Sequence, residues 1–283
     1  MSKQAVSTIS KTTIQRLIRD VKQIIKEPLH DNGIYYQHDD EDMMKGYAMI
    51  IGAKDTPYYG GFYMFEFSFP TNYPHSPPVV TYLTNGDGIR FNPNLYKNGK
   101  VCISVLNTWK GDQWTSCQNI STILLALCMV LCDKPLLNEP GITEKHKDFK
   151  RYTSIIEFKN IEIAILNMLN KKEGYYLNKF DRFYPHMKEY FEKNREDLKT
   201  YLVGLWSKSD PGSVIISTSL YSMRVSINYN KLVRYFESTM STFSGTTSDN
   251  KSYTLDDILS LDENIVVSTK PKRLKKVKET TDK

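Results

Sequence analysis

A chain of 283 residues is long enough for one large or two modest domains, at roughly 100–200 residues each, and buries a core without covalent staples. Its net charge of +6 is concentrated at one end: the last sixteen residues, STKPKRLKKVKETTDK, hold seven Lys/Arg against two acids. The body is nearly neutral and lacks the spread of positive charge that a nucleic-acid enzyme sets against phosphates, so no nucleic-acid partner is expected.

The four cysteines, Cys102, Cys117, Cys128 and Cys132, form no CxxC pair, and none stands at zinc-finger distance from the five histidines. Neither a disulfide framework nor a metal site is indicated, which suits a reducing, intracellular setting, and no cofactor is expected. The first twenty residues lack the apolar block of a signal peptide, and nowhere do about 18 apolar residues run together. A soluble chain with no membrane partner is the expectation.

Ile14, Leu17, Ile18, Val21, Ile24 and Ile25 recur at helical spacing and Pro28 closes the segment. This predicts an amphipathic helix over 11–26 with Arg16, Arg19 and Lys26 on its outer face. GYAMIIGA (46–53) and GGFYMFEFSF (60–69) read as strands joined by a hairpin, the second alternating Tyr63, Phe65, Phe67 and Phe69 onto one face. Pro70, Pro74, Pro77 and Pro78 hold off regular structure until a third strand at 79–83. An irregular stretch over 84–101 leads to ISVL, a loop with Trp109 and Trp114, and an apolar helix over about 119–132. Helix, antiparallel meander of three or four strands, cysteine-bearing loop and helix make an α+β arrangement.

Beyond 145 the pattern turns helical. Ile155, Phe158, Ile161, Ile165, Met168 and Leu169 mark one helix, and a longer aromatic one runs from Phe180 through Phe191 to Leu205. Their apolar faces need a cover, which the preceding core would supply. After DPGS and a Ser/Thr-rich connection, a last helix is expected over 227–240, and from about 244 the composition is too polar to order itself. KPKRLKK in that tail reads either as a nuclear-import signal or as a solvated basic stretch, so the expected localisation is cytoplasmic, nuclear or both.

Three blocks, TPYYGGFYMFEFSFPTNYPHSPP, FNPNLYKNGKVCISVLNTWKGDQWTSCQ and LLNEPG (136–141), together with the first helix, resemble the ubiquitin-conjugating enzymes over residues 10 to about 170. The spacing from Asn92-Pro93-Asn94 to Cys102 equals that between the family's His-Pro-Asn signature and its active-site cysteine. The NPN variant, the enlarged Trp109–Trp114 loop, NEPG and the helical extension look most like the large carboxy-extended members that use the alternative ubiquitin-activating enzyme. The resemblance implies the UBC fold, with a conjugating core over 10–170, a helical extension over 171–243 and a disordered basic tail over 244–283.

Conjugation passes an acyl group from one thiol to another thiol or to a lysine, and cysteine suits the task. Its free pKa of about 8.5 leaves a few per cent thiolate at pH 7, and its thioester stays reactive toward amines. Without the flanking motif, Cys102 would read as a small packed apolar residue; with it, Cys102 is the candidate nucleophile. Asn94 has two readings: its amide donates to the oxyanion formed when an amine attacks the thioester, or it braces the loop through side-chain to backbone bonds. Asn92 stands where most of the family has histidine, and is expected to order the loop without proton transfer. The residue that orients an incoming lysine aligns ambiguously in CDKPLLNEPG, with Asp133 and Asn138 as candidates. Cys128 and Cys132, one helical turn apart, read as packing residues.

The resemblance also implies partner surfaces: the first helix for the activating enzyme, and that helix with two loops for a ligase, here Arg16, Arg19, His75, Trp114, Thr115 and Ser116. Arg16 and Arg19 read equally as a solvated helix face. Ubiquitin or a ubiquitin-like modifier, an activating enzyme and a ligase are thus the expected partners. The alternatives are a non-catalytic ubiquitin-binding variant of the fold and a scaffold with vestigial chemistry; such binding variants generally lack the cysteine, and Cys102 at the expected spacing counts against the first.

Overall fold

In the computed structural model, residues 9–209 and 212–244 are described; the expected basic tail and its KPKRLKK run lie outside the described residues. Helix α1 spans Lys11–Lys26 and starts at Ser10, whose Oγ accepts from the Thr13 amide at 3.0 Å, satisfying one of the orphan donors of the first turn. The inward face is the predicted one in part: Leu17 and Ile24 are buried and Ile14 and Val21 half-buried, but the face is turned away from Ile18 and Ile25. Thr13, Leu17, Asp20 and Ile24 are buried, whereas Ile18 and Ile25 are 44% and 69% exposed. The helix is rotated because Asp20 is drawn into the core by two donors, Arg16 and Tyr73.

Four strands follow, β1 (Ile34–His38), β2 (Lys45–Ile51), β3 (Phe62–Ser68) and β4 (Val79–Tyr82), in one antiparallel sheet whose spatial order is the chain order. Register runs Tyr36↔Ala48, Ala48↔Phe65 and Phe65↔Tyr82. Alternation on β3 predicts one buried face, but Phe62 and Met64 are as buried as Tyr63, Phe65 and Phe67. A strand buried on both faces carries a continuous apolar run, and here later helices supply part of the cover.

Helix α2 (Ile120–Val130) is opened by Asn119, whose Oδ1 accepts from the Thr122 amide. It ends before Cys132, so Cys128 lies on the helix and Cys132 beyond it, both half-buried rather than fully packed. Helix α3 (Phe149–Lys159) continues without a break into a π-helical segment, Asn160–Asn167. Asn160, fully buried there, accepts from the Tyr63 hydroxyl at 2.6 Å and donates to the Tyr59 carbonyl at 2.9 Å, so its polar amide is satisfied inside the core.

Helix α4 (Tyr184–Ser207) lays its aromatic residues on β3 and on the connection before it: Tyr190 meets Phe62 edge-on and Tyr201 meets Tyr59. Helix α5 (Tyr229–Ser244) packs on α4 through Phe236 and Phe243 around Phe191. The Ser/Thr-rich connection before α5 is not irregular. It forms a hairpin of β5 (Val214–Ser217) and β6 (Arg224–Ile227); the polar–apolar alternation Arg224-Val225-Ser226-Ile227 was the available signal, and Val225 and Ile227 are the buried pair. Among the described residues no helix is long and apolar enough to cross a membrane.

Candidate active site

The approach to Cys102 is a tight turn at Tyr96–Lys100. Gly99 sits at φ +88°, and a Cβ there would lie 2.9 Å from Thr81 Cγ2 and 3.0 Å from the Tyr82 carbonyl, so an Asn-Gly pair closes the turn hard against β4. On one side of this turn, Asn92-Pro93-Asn94-Leu95 forms a β-turn in which the Leu95 amide donates to the Asn92 carbonyl at 3.0 Å. On the other side is Cys102. The two meet through a reciprocal pair: the Cys102 amide donates to the Asn94 carbonyl at 2.9 Å, and Asn94 Nδ2 donates to the Cys102 carbonyl at 2.6 Å. Asn94 thus braces the loop with one of its two amide hydrogens.

Asn92 explains why an amide stands at a position where the family usually has histidine. Its Oδ1 accepts from the Asn94 backbone at 2.9 Å and from Asn138 Nδ2 at 3.4 Å, while its Nδ2 donates to the Tyr58 hydroxyl at 2.9 Å and the Val130 carbonyl at 2.8 Å. A carboxamide offers two donors and two acceptor lone pairs, and all four are used; a neutral imidazole offers one of each. Asn92 is fully buried and orders the turn from beneath. Tyr58 completes the base of the site by donating to the Phe91 carbonyl at 2.7 Å, and burial pushes its phenol well above the usual range.

Two further residues hold the turn that the sequence did not single out. Arg90, 8% exposed, donates from Nε to the Asn92 carbonyl at 3.1 Å and from Nη2 to the Pro93 carbonyl at 2.6 Å, with its guanidinium carbon 3.3 Å from the Tyr96 ring centroid. Thr108 Oγ1 accepts from the Ile103 amide at 3.0 Å and lies 2.9 Å from the Val101 carbonyl, fastening the chain on both sides of Cys102. An arginine two residues before NPN was the available signal. Beside Thr108, the loop Asn107–Gln113 and Pro140 line a groove of ≈640 Å³ in which Trp109 is 39% exposed. Cys102 itself is only 2% exposed.

The two acceptor-side candidates separate. Asn138 belongs to the site, since its amide reaches Asn92 Oδ1 and the Val130 carbonyl, and its Oδ1 lies 3.8 Å from Cys132 Sγ. Asp133 is exposed and lines a different groove, with Lys54, Thr56, Tyr59 and Tyr201. The Cys128 and Cys132 thiols are both pushed up by burial, which makes them poorer nucleophiles at neutral pH.

The partner-surface candidates form one contiguous patch, and two of them are tied inward. Trp114 is 7% exposed; its Nε1 donates to the Pro74 carbonyl at 2.7 Å and its ring packs on Tyr73, so it fastens the YPHSPP loop and offers little area to a partner. Arg16 is not on the outer face of α1 either. It contacts both Asp20 oxygens at 2.8 Å and donates from its terminal nitrogens to the Ser116 and Gln118 carbonyls. Arg19, with a side chain 69% exposed, faces outward, as do His75, Thr115 and Ser116.

A helix, a four-stranded antiparallel meander, a turn that brackets a cysteine and a following helix define the UBC class of α+β folds. The family profile "Ubiquitin-conjugating enzyme" matches residues 16–162, and the chain belongs to that family. It is 42% identical over 166 residues to "Ubiquitin-conjugating enzyme E2 Z" of Xenopus tropicalis, a match covering 58% of this chain and 52% of that protein. The human protein of the same name is 42% identical over 160 residues, 56% of this chain and 45% of its own length. "Probable ubiquitin-conjugating enzyme protein 17" of Caenorhabditis elegans is 34% identical over 195 residues, 64% of this chain and 25% of its own. The matches therefore span about half the length of the first of these relatives or less.

Proposed function

We propose that the chain accepts ubiquitin or a ubiquitin-like modifier as a thioester on Cys102 and passes it to a lysine or to a ligase. The observation that carries this is the reciprocal hydrogen-bonded pair of Cys102 and Asn94 on a rigid turn. In charging, the Cys102 thiolate attacks the carbonyl carbon of the thioester on the activating enzyme, whose thiol leaves as the new thioester forms. In discharge, an amine attacks that carbonyl, negative charge gathers on its oxygen, and the Cys102 thiol leaves as the amide forms. Asn94 has a second amide hydrogen beyond the one on the Cys102 carbonyl, and a neutral donor there stabilises the oxyanion without protonating the incoming amine.

Cys102 as a residue is only 2% exposed, and we read charging as a step in which the surrounding loops yield to the incoming thioester. The NPN and NEPG motifs favour the alternative activating enzyme over the general one. Arg19, His75, Thr115 and Ser116 are the surface offered to the activating enzyme or a ligase. Residues 245–283 are read as dispensable for charging and as serving localisation or partner affinity. Deletion of that segment is expected to leave charging intact, and loss of soluble folded protein on that truncation sinks this part of the reading.

The whole reading is tested by mixing the chain with each activating enzyme, ATP and modifier. The expected product is one slower band on a non-reducing gel, abolished by thiol reductant and absent in Cys102→Ala. No adduct from folded protein with either enzyme and several modifiers overturns it.

A further inference from the structure

The connection between β5 and β6 returns to the NPN turn. Tyr221 and Ser222 there take φ of 61° and 49°, a region that L side chains other than Asn, Asp or His seldom enter. They are held in place by Asp148, a carboxylate 1% exposed, whose Oδ2 accepts from the Ser219 amide at 2.9 Å, the Ser219 hydroxyl at 2.6 Å and the Leu220 amide at 2.9 Å.

Anchored in this way, Tyr221 touches both walls of the candidate site. Its hydroxyl donates to Glu139 Oε2, in the residue next to Asn138, and Asn138 in turn reaches Asn92. Its ring faces the Arg90 guanidinium with 5.0 Å from carbon to centroid, and Arg90 is the residue that grips the Asn92 and Pro93 carbonyls. Its carbonyl accepts from Lys97 Nζ at 2.9 Å, in the turn that leads to Cys102. Three of the segments that build the site converge on one residue, two on its side chain and one on its backbone carbonyl, and it lies 119 positions after Cys102 and outside the matched family region, residues 16–162.

We propose that Tyr221 is a positioning residue for modifier transfer: it locks Arg90 and the NEPG turn together, so that the NPN turn presents the Asn94 amide in fixed register with Cys102. Tyr221 touches no reacting atom and acts through Asn94. The inference rests on the conjugating reading of Cys102. It also gives the helical extension a task in the chemistry beyond covering the sheet.

The test isolates the full-length chain charged with ubiquitin, stops charging, and follows single-turnover discharge to free lysine. Tyr221→Phe keeps the ring over Arg90 and loses the bond to Glu139, so discharge should fall about three- to tenfold, the worth of one hydrogen bond in a rate. Tyr221→Leu should fall further, and Glu139→Gln, which keeps an acceptor, should stay nearer the parent. In an Asn94→Ala background, Tyr221→Phe should add no further loss, an outcome that general loosening of the fold does not produce. Glu139→Ala removes the same bond from the other side and serves if Tyr221→Phe does not fold. Equal discharge for the parent and folded Tyr221→Phe, or the same loss in both backgrounds, overturns this inference alone. A parent that forms no reductant-sensitive adduct overturns the conjugating reading and this inference with it.

Discussion

Asn94 and Cys102 hold each other twice, amide to carbonyl in one direction at 2.9 Å and side chain to carbonyl in the other at 2.6 Å. The second bond makes the two readings of Asn94 compatible, because one amide hydrogen braces the turn while the other is left for a developing oxyanion.

Asn94→Ala removes both. Charging should remain near the parent's level, since that step leans on the activating enzyme's own site, whereas discharge to lysine should slow by roughly 100- to 1,000-fold if the donor role dominates. Single-turnover discharge of the isolated thioester measures it. Equal rates for mutant and parent would leave Asn94 as a brace only.

Arg16 and Arg19 are neighbours in sequence with different tasks. Asp20 is nearly sealed, its side chain 2% exposed, and Arg16 at 2.8 Å supplies its counter-charge while Tyr73 donates to it at 2.6 Å. Removing Arg16 leaves a buried carboxylate without a cation and frees the 115–118 loop, so Arg16→Ala should cost about 3–5 kcal/mol in denaturant unfolding. Arg19, 69% exposed and 3.8 Å from Asp20, should cost under about 1 kcal/mol. Arg19→Glu should instead slow charging by the activating enzyme. Equal stability losses for Arg16→Ala and Arg19→Ala count against this division.

Glu157, in the groove beside Tyr201, has its carboxyl held above the usual range by burial, with the Lys208 charge opposing. A raised pKa in the folded state means that the stabilising contribution is complete below the unfolded value of about 4.3 and is lost as pH rises through the folded value. Glu157→Gln stays neutral throughout. It should melt higher than the parent at pH 7–8, and the difference should vanish near pH 4. A Gln variant that melts lower than the parent at pH 8 refutes this account of Glu157.

Much of the site was legible in the sequence because the turn is local. Asn98-Gly99, Asn92-Pro93-Asn94 and Cys102 lie within eleven residues, and the match of that spacing to the signature of the ubiquitin-conjugating family is what singled them out. The strands at 45–51, 62–68 and 79–82 were also legible, from their apolar runs. What was not legible depends on distant partners. Strand β1 is an edge strand with only Ile34 fully buried, so IYYQH carries no clean alternation. The α1 face shifted because an aspartate outranked two isoleucines once Arg16, one helical turn away, and Tyr73 met it; the Tyr73 pairing spans more than fifty residues, which helical periodicity cannot register. Trp114 looked like an exposed loop aromatic, yet its indole N–H finds the Pro74 carbonyl and its ring finds Tyr73. Arg90 and Tyr221 escaped for the same reason, being 131 positions apart in sequence.

The four cysteines allow a decisive assignment of the nucleophile. Cys102 lies in the braced turn, Cys117 is exposed in a loop, and Cys128 and Cys132 have thiols raised by burial. If the modifier is carried by Cys102, Cys102→Ser should still form an adduct with the activating enzyme, ATP and modifier, but one that resists thiol reductant, because an oxyester is less reactive toward thiols than a thioester. Cys117→Ser, Cys128→Ser and Cys132→Ser should each charge as the parent does and lose the adduct on reduction. A reductant-sensitive adduct persisting in Cys102→Ala would mean that another cysteine carries the modifier. Cys117 would then be the first to suspect, since its side chain alone among the remaining three is exposed and its thiol needs no loop to move before a partner can reach it.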